Sequence, residues 1–209
     1  AGTGGLILLN YFDRLRPGAS LEYITGSCNL QNIFTSARFG KNDNKNQFTY
    51  AHNQTNGYRV QTKMRRDNFS WQSQVKFSDK QQLTASILFT DMYYQTPGAL
   101  SLAEFTANPK AARPAAGGFP SAVNAHAAIY QKNITAGFTN IYTINPALKN
   151  YTTLYGAFSQ IKNPAIRNYE RRNEPSFGSR SFFTFRKKSE IDYTGQKINS
   201  FQFVAGGEF

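Results

Sequence analysis

The stretch from Asp67 to Phe77, "DNFSWQSQVKF", decides the fold because its side chains alternate in chemistry with a period of two. One set of alternate positions is apolar, with a single interruption at Ser73. These apolar positions are Phe69, Trp71, Val75 and Phe77. The positions between them carry Asn, Ser, Gln and Lys side chains. A period of two is the signature of a β-strand with two unlike faces. The aromatic face of this strand must contact either a protein core or lipid.

The composition of the chain favours a folded protein rich in β-strands. The 209 residues are 40% hydrophobic and 15% aromatic, which is enough apolar surface to exclude a disordered chain. Aromatic residues and threonine fit pleated surfaces, and mean hydropathy is only -0.53 because polar residues are abundant. The net charge of +12 is compatible with nucleic acid, an anionic lipid surface or an anionic small ligand. The single cysteine, Cys28, excludes an internal disulfide.

Similar alternation recurs along the chain and predicts about nine strands. The predicted strands are Ser20–Thr25, Asn32–Gly40, Gln47–His52, Asp67–Phe77, Gln82–Tyr94, Lys132–Ile144, Leu148–Ile161, Arg180–Arg186 and Asn199–Ala205. Several of them reach the roughly 9–11 residues that a tilted strand needs to cross a bilayer. No run of residues approaches the roughly 18 apolar residues of a transmembrane helix.

The connections between these strands are predicted to alternate between short and long from Phe39 onward. The short ones are 41–46, 78–81, 145–147 and 194–197, and the long ones are Asn53–Arg66, Gln95–Gln131 and Lys162–Ser179. In an up-and-down meander, this order places all turns at one end of the sheet and all long loops at the other. That asymmetry is typical of outer-membrane β-barrels, whereas a soluble sandwich has long loops at both ends. We therefore predict that the aromatic face contacts lipid rather than a core.

The predicted fold is all-β: a segment of an antiparallel, up-and-down transmembrane β-barrel with long extracellular loops. An odd, open sheet leaves two unpaired edges, which lipid does not tolerate. The final residues, "NSFQFVAGGEF", end inside a strand-like pattern. We therefore expect the chain to be a fragment of a larger barrel. Within the longest loop, "SLAE" (101–104) has the pattern of a capping box and predicts a short helix through Ala107.

Four blocks of sequence resemble the TonB-dependent outer-membrane receptors. "AGTGGLILL" (1–9) resembles the last strand of their plug domain, just before the barrel begins. "NGYR" (56–59) and "YQTPGALSLAEFTANPKAARP" (94–114) resemble early barrel loops in iron-complex receptors of Bacteroidetes type. "LYGAFSQIKNPAIRNYERRNEPSFGSRSFF" (154–183) resembles a following loop with its strands. The resemblance covers essentially the whole chain.

This resemblance implies a fold and a function. Members of the family have a 22-stranded barrel around a plug, and they import iron–siderophore complexes, haem, cobalamin or glycans with energy relayed by TonB. The chain would then be the end of the plug (1–17) and the first eight or nine barrel strands (18–209), located in the bacterial outer membrane. The implied partners are a ferric-siderophore or similar iron complex, outer-membrane lipid and lipopolysaccharide, and TonB through the plug region that this chain lacks. No cofactor is expected.

A group of arginines in and around Lys162–Ser179 is the first candidate ligand site, because guanidinium forks pair with the carboxylates of anionic siderophores. The candidate residues are Arg167, Tyr169, Arg171, Arg172 and Arg180. Two alternatives remain open: these arginines bind lipid A phosphates, or they pair with Glu170 and Glu174. In the loop Gln95–Gln131, aromatic side chains can stack on a siderophore, or else pack within the loop. The loop residues are Phe105 and Phe119. Tyr93 and Tyr94, at the end of the preceding predicted strand, are further stacking candidates whose alternative place is the membrane interface.

Other functional classes are less well supported by the sequence. His52 and His126 lie far apart without clustered carboxylates, so no metal site is expected. No arrangement of Ser, His and Asp or of paired carboxylates is evident, so we predict that the chain is not an enzyme. A structural or adhesive envelope β-protein remains an alternative. A nucleic-acid-binding β-protein is a weaker one, because basic residues such as those in "KMRRDN" (63–68) lie in predicted loops and at strand ends.

Overall fold

Nine antiparallel strands form one continuous sheet. The computed structural model describes residues 17–41, 43–164, 169–186, 190–191, 197–198 and 201–209. The sheet comprises β1 (Gly18–Gly26), β2 (Leu30–Lys41), β3 (Asn44–Thr55), β4 (Met64–Ser78), β5 (Gln81–Gln95), β6 (Ala128–Asn145), β7 (Leu148–Pro164), β8 (Tyr169–Arg186) and β11 (Gln202–Glu208). The two-residue strands β9 (Glu190–Ile191) and β10 (Lys197–Ile198) pair with each other. The helix α1 spans Leu102–Ala107.

Each strand of the sheet pairs with its neighbours in chain order up to β8, and β11 then pairs with β8. This up-and-down, antiparallel, all-β arrangement confirms the predicted class and the predicted strand count. The observed strands are mostly longer than the predicted ones, with 18 residues in β6 and in β8. At about 3.3 Å per residue, an 18-residue strand is roughly 60 Å long. Residues 199–200 of the predicted last strand lie outside the described residues.

The prediction of a long loop from Lys162 to Ser179 is wrong. β7 continues to Pro164 and β8 begins at Tyr169, so residues 165–168 alone separate them. This part of β8 is polar on both faces of the strand. Arg171 and Asn173 lie on one face, and Arg172 and Glu174 lie on the other. A strand that is polar on both faces has no apolar alternation, which is the signal on which the prediction depended.

The connections between strands differ in length between the two ends of the sheet. The prediction that short and long connections alternate strictly along the chain is wrong. The loop end carries 27–29, 56–63, 96–127 and 165–168. The turn end carries 42–43, 79–80, 146–147 and 187–201, which includes β9 and β10. Two of the three long loops are therefore confirmed at the loop end, and the connection at 165–168 is short. The predicted turn 194–197 falls mainly outside the described residues.

The pairing register gives the sheet an aromatic face and a polar face, because directly paired residues project to the same side. On β4, the aromatic face carries Phe69, Trp71, Ser73 and Val75, while the polar face carries Asn68, Ser70, Gln72 and Gln74. This confirms the alternation for most of the stretch 67–77. Phe77 is an exception, because the register shifts between Lys76 and Ser78.

The sheet is a single layer without a conventional core in the described part of the chain. No large side chain there is fully buried. The buried hydrophobic residues are all alanines, and one of them, Ala85, lies within the sheet away from the loops. Aromatic and aliphatic side chains of the aromatic face are instead exposed. In the described residues, the sheet is therefore held together by interstrand hydrogen bonds rather than by a buried apolar core.

Replacing Gly40 by alanine is expected to destabilise the hairpin between β2 and β3. Gly40 has a φ of +121°, and an added Cβ would lie 1.8 Å from the Asn44 carbonyl oxygen. We expect a loss of roughly 1–3 kcal/mol in the free energy of unfolding, as strained backbone conformations generally cost. The measurement is the midpoint of thermal unfolding.

Gly137→Ala is the matched control, because a Cβ at Gly137 meets no atom closer than 3.8 Å. This control should leave the unfolding midpoint nearly unchanged. Equal effects of the two substitutions would contradict the strain argument for Gly40.

Candidate functional site

A row of apolar side chains crosses six strands of the aromatic face. Each residue is the direct register partner of the next: Tyr50, Phe69, Phe89, Ile134, Phe158 and Pro175. We call this set the aromatic row. The five residues before Pro175 are each 37–43% exposed despite their size. Because the partners lie directly opposite one another, the row runs perpendicular to the strands.

The apolar surface continues from the aromatic row toward the turn end. The next row contains Phe48 and Trp71, whose ring centroids lie 6.1 Å apart in a stacked arrangement. Phe48 also stacks on Phe39 at 5.7 Å. Further exposed members of this face are Leu21, Tyr23, Phe138, Leu154, Phe177, Phe183 and Phe203. A contiguous exposed apolar surface of this kind marks a site of contact with a partner or a membrane.

Charged and polar side chains form a second row immediately on the loop side of the aromatic row. Its members, again direct register partners, are His52, Asp67, Asp91, Lys132, Gln160 and Asn173. We call this set the charged row. The face therefore changes from apolar to charged over two residues of each strand, or about 7 Å. A sharp change of this kind, with aromatic residues at the boundary, is typical of a membrane–water interface.

Two carboxylates lie directly opposite each other in the charged row, an arrangement that is destabilising unless it is compensated. Arg65 compensates it by donating hydrogen bonds from one guanidinium nitrogen to Asp67 and from another to Asp91, the latter at 3.2 Å. Lys132 Nζ lies 3.1 Å from the other oxygen of Asp91. His52 Nδ1 lies 2.6 Å from Asp67 Oδ1. The acidic pair is thus surrounded by cationic or hydrogen-bonding groups.

The opposite face of the sheet is richer in Ser, Thr, Asn and Gln side chains, and it also carries charged residues such as Arg172 and Arg180. Larger side chains such as Phe34, Leu88 and Tyr155 are exposed on it as well. Cross-strand hydrogen bonds link Ser20 with Ser36 at 2.8 Å and Thr139 with Thr153 at 2.9 Å. Gln72 is only 3% exposed, and its Oε1 has no hydrogen-bond partner among the described residues. This polar face has the chemistry of a surface that faces water or a hydrophilic ligand.

The two longer loops at the loop end form one unit, which we call the loop cap (56–63 and 96–127). Arg59 donates from Nε and from a terminal nitrogen to the Ala111 carbonyl oxygen, at 3.1 and 2.9 Å. The same terminal nitrogen lies 3.1 Å from the Gly98 carbonyl oxygen. The ammonium group of Lys110 lies 5.2 Å from the centre of the Tyr58 ring. These contacts join the loop between β3 and β4 to the loop between β5 and β6.

The longer loop of the cap is also held by its own backbone. The Arg113 amide donates to the Pro97 carbonyl at 2.7 Å, and the Ala122 amide donates to the Arg113 carbonyl at 3.0 Å. Ala122 and Ala127 are buried. The predicted capping box is confirmed at the start of α1, and hydrogen bonds from Ser101 lower the pKa of the Glu104 carboxyl from its usual value. The cap is therefore an ordered structure.

The predicted arginine site is not brought together as a loop. Tyr169, Arg171, Arg172 and Arg180 all lie on β8, and Arg167 lies outside the described residues. Arg172 is on the polar face and pairs with Glu170 at 2.7 Å and with Glu174 at 3.0 Å, which was one of the alternatives from the sequence. Arg171 lies on the opposite, aromatic face. These residues do not form a loop because β8 extends from Tyr169 to Arg186.

Arg180 is on the polar face, eight residues along β8 from Arg172. Its guanidinium carbon lies 5.1 Å from the centre of the Phe182 ring, and its side chain is exposed. Eight residues of strand separate the two arginines by roughly 26 Å. Arg172 and Arg180 therefore cannot contact one small ligand together.

The predicted aromatic candidates of the loop are both accessible in the loop cap. Phe105 lies on α1 and is 55% exposed, and Phe119 is 37% exposed beside its bridge to Ala116. Sequence reasoning missed Arg59, which anchors the cap, and it missed the charged row. The order of residues gives no signal for either, because each depends on contacts between segments far apart in the chain.

The described residues contain no group of three or more His, Cys, Asp and Glu side chains placed to hold a metal ion. No helix in the described part of the chain is long and apolar enough to cross a membrane. Basic side chains occupy both faces of the sheet, as Lys132 on one face and Arg180 on the other illustrate.

Replacing Arg59 by lysine is expected to loosen the loop cap. Lysine keeps the charge but lacks the planar fork that reaches two carbonyl groups at once. Losing about 1 kcal/mol of hydrogen bonding should raise the rate of limited proteolysis within 96–127 roughly fivefold. Arg66→Lys, an equivalent change on β4, is the control and should leave the cleavage rate unchanged. Equal cleavage of the two variants would show that Arg59 does not anchor the cap.

Comparison with known proteins adds no family to this description. No protein-family model matches the chain, and no curated protein is similar enough to match it.

Proposed function

We propose that this chain is part of a transmembrane β-barrel in the bacterial outer membrane, within a TonB-dependent receptor that takes up a ferric-siderophore or similar iron complex. The observation that carries the proposal is the exposed aromatic face, bounded on its loop side by the charged row. The other face of the same strands is polar. Lipid on one side and a water-filled lumen on the other would suit this pair of faces.

The strand lengths support a membrane location. β4 to β8 have 15–18 residues, which exceeds the roughly 9–11 needed to cross a bilayer at a tilt. The surplus lies toward the loop end, where the charged row and the residues beyond it would stand in the headgroup region and in water. In water alone, the large apolar side chains of the aromatic row would stay exposed at an unfavourable free energy.

Closure of the barrel requires further strands. Among the described residues, β1 and β11 each pair on one side only. Unpaired backbone groups in lipid cost several kcal/mol each. The proposal therefore includes additional strands, up to the 22 of the receptor family, with residues 1–17 as the end of the plug and 18–209 as barrel.

In this arrangement the loop cap is extracellular, and the turn end is periplasmic. The iron complex would approach the loop cap and then the polar face, while lipid and lipopolysaccharide would surround the aromatic face. TonB would act through the plug region that this chain lacks. An adhesive envelope protein is less well supported, because adhesion does not require an apolar face that is exposed across all nine strands of the sheet.

We propose that the iron complex contacts exposed residues of the loop cap and of the polar face. Phe105 and Phe119 are exposed in the loop cap, and Arg180 is exposed on the polar face. Arg172 is already paired with two glutamates, so its charge is largely compensated. Arg171 is removed from the proposed ligand site because it lies on the aromatic face.

Spin labels along β6 should test the membrane location. With Cys28 replaced by serine, labels at Ile134→Cys and Phe138→Cys should be accessible to oxygen, which concentrates in lipid. Labels at Thr135→Cys and Thr139→Cys should be accessible to a water-soluble nickel chelate. Accessibility should therefore alternate with a period of two. Water access at positions 134 and 138 equal to that at 135 and 139 would refute the proposal.

Opposite faces of β8 provide a test of ligand binding. Arg180→Gln should weaken binding of an anionic iron complex roughly tenfold, because one charge-assisted hydrogen bond is lost. Arg171→Gln, on the other face, should leave that affinity unchanged. The measurement is titration calorimetry with ferric citrate and with a ferric tris-catecholate. If neither complex binds, or if both variants lose affinity equally, the receptor proposal or this face assignment is wrong.

A further inference from the structure

Two cations lie directly opposite each other on the aromatic face at the loop end. Lys162 on β7 and Arg171 on β8 are register partners, and like charges in this position are destabilising. Among the residues that the structure describes, no carboxylate lies within ion-pair distance of either side chain. The intervening sequence 165–168 reads Ala-Ile-Arg-Asn and contains no acidic residue.

The same face shows how an equivalent conflict is resolved within the protein. Asp67 and Asp91 are also direct partners of like charge, and the Arg65 guanidinium binds both of them. The basic pair has no such group between its members in the described part of the chain. An external anion would supply the missing charge.

A shallow groove of about 210 Å³ lies beside this basic pair. It is lined by Tyr130, Lys132, Gln160 and Lys162. Lys132 is held there by Asp91, with Nζ and the carboxylate oxygen 3.1 Å apart. Tyr130 packs on Tyr93 with ring centroids 4.8 Å apart, which gives one wall of the groove a fixed aromatic surface. The groove thus combines cationic groups with hydrogen-bonding and aromatic side chains.

The position of the groove identifies the kind of anion. Lys132 and Gln160 belong to the charged row, and their neighbours two residues along each strand, Ile134 and Phe158, belong to the aromatic row. Lys162 and Arg171 lie one row farther toward the loop end, four residues or about 13 Å along the strands from Phe158 and Pro175. An anion bound in this groove would therefore lie on the loop side of the boundary between the charged and the apolar surface. A lipid with a phosphorylated headgroup has this layout, with a phosphate joined to acyl chains. Phosphate also offers several acceptor oxygens, which suit an Arg fork and a Lys ammonium group.

The geometry points to a binding site for the phosphate of a membrane lipid, formed by Lys162 and Arg171 with Lys132 beside them, while the acyl chains lie along the aromatic row. The inference rests on the proposed function, because it requires lipid at the aromatic face. It adds a specific headgroup site on the outer surface of the sheet. This site is separate from the iron-complex contacts proposed on the polar face.

The test uses the protein as its gene encodes it, in phosphatidylcholine nanodiscs with and without phosphatidic acid, whose headgroup is a phosphate monoester. Native mass spectrometry counts the lipids that the protein retains after release from the disc. The test variant is Lys162→Gln with Arg171→Gln. The control variant is Lys149→Gln with Arg186→Gln, which removes the same two charges from the turn end of the same two strands.

We expect the wild-type protein and the control to retain phosphatidic acid, and the test variant to bind it roughly tenfold more weakly. Equal retention by all three proteins would overturn the site. Displacement of the lipid by millimolar inorganic phosphate would show a general anion site and would also overturn the assignment to lipid. If the spin labels on β6 report lipid while the test variant behaves like wild type, the headgroup site fails and the barrel proposal stands.

Discussion

The direct register between neighbouring strands is the constraint on which the other features depend. Each of the interior strands pairs with both of its neighbours, so side chains at equal height line up across the sheet. This alignment places Tyr50, Phe69 and Phe89 in one row and His52, Asp67 and Asp91 in the next. A slip of one residue in any strand would move its aromatic side chains to the polar face. Register therefore determines both the chemistry of each face and the boundary within one of them.

The sheet also shows how stability is divided between the protein and its surroundings. The interior strands satisfy their backbone hydrogen bonds within the sheet, but the large side chains of the aromatic face have no protein layer above them in the described residues. A soluble domain gains most of its stability by burying such side chains. In the proposed membrane location, lipid in contact with the aromatic face would supply that contribution. The loop cap differs, because its order comes from polar contacts such as those of Arg59 and from small buried alanines.

Much of the fold could be predicted from the sequence, since alternation is a local property of each strand. The nine strands, their up-and-down order and the capping box at Ser101 all follow from residues close together in the chain. The extent of β7 and β8 could not be predicted, because the stretch around Glu170 and Arg172 is polar on both faces. The charged row and the Lys162–Arg171 pair were also hidden. Each depends on which residues of neighbouring strands lie opposite each other, and this register is established only when the sheet forms.

The bridge that Arg59 makes between two loops has a consequence for how this surface can change. The loop 56–63 and the loop 96–127 belong to different hairpins, yet each supplies part of the structure of the other. An insertion or deletion in one loop would displace the carbonyl groups or the guanidinium that the other requires. The two loops should therefore vary together during evolution. For the same reason, transplanting the longer loop alone onto another sheet would leave it without its anchor, and a successful graft would need both segments.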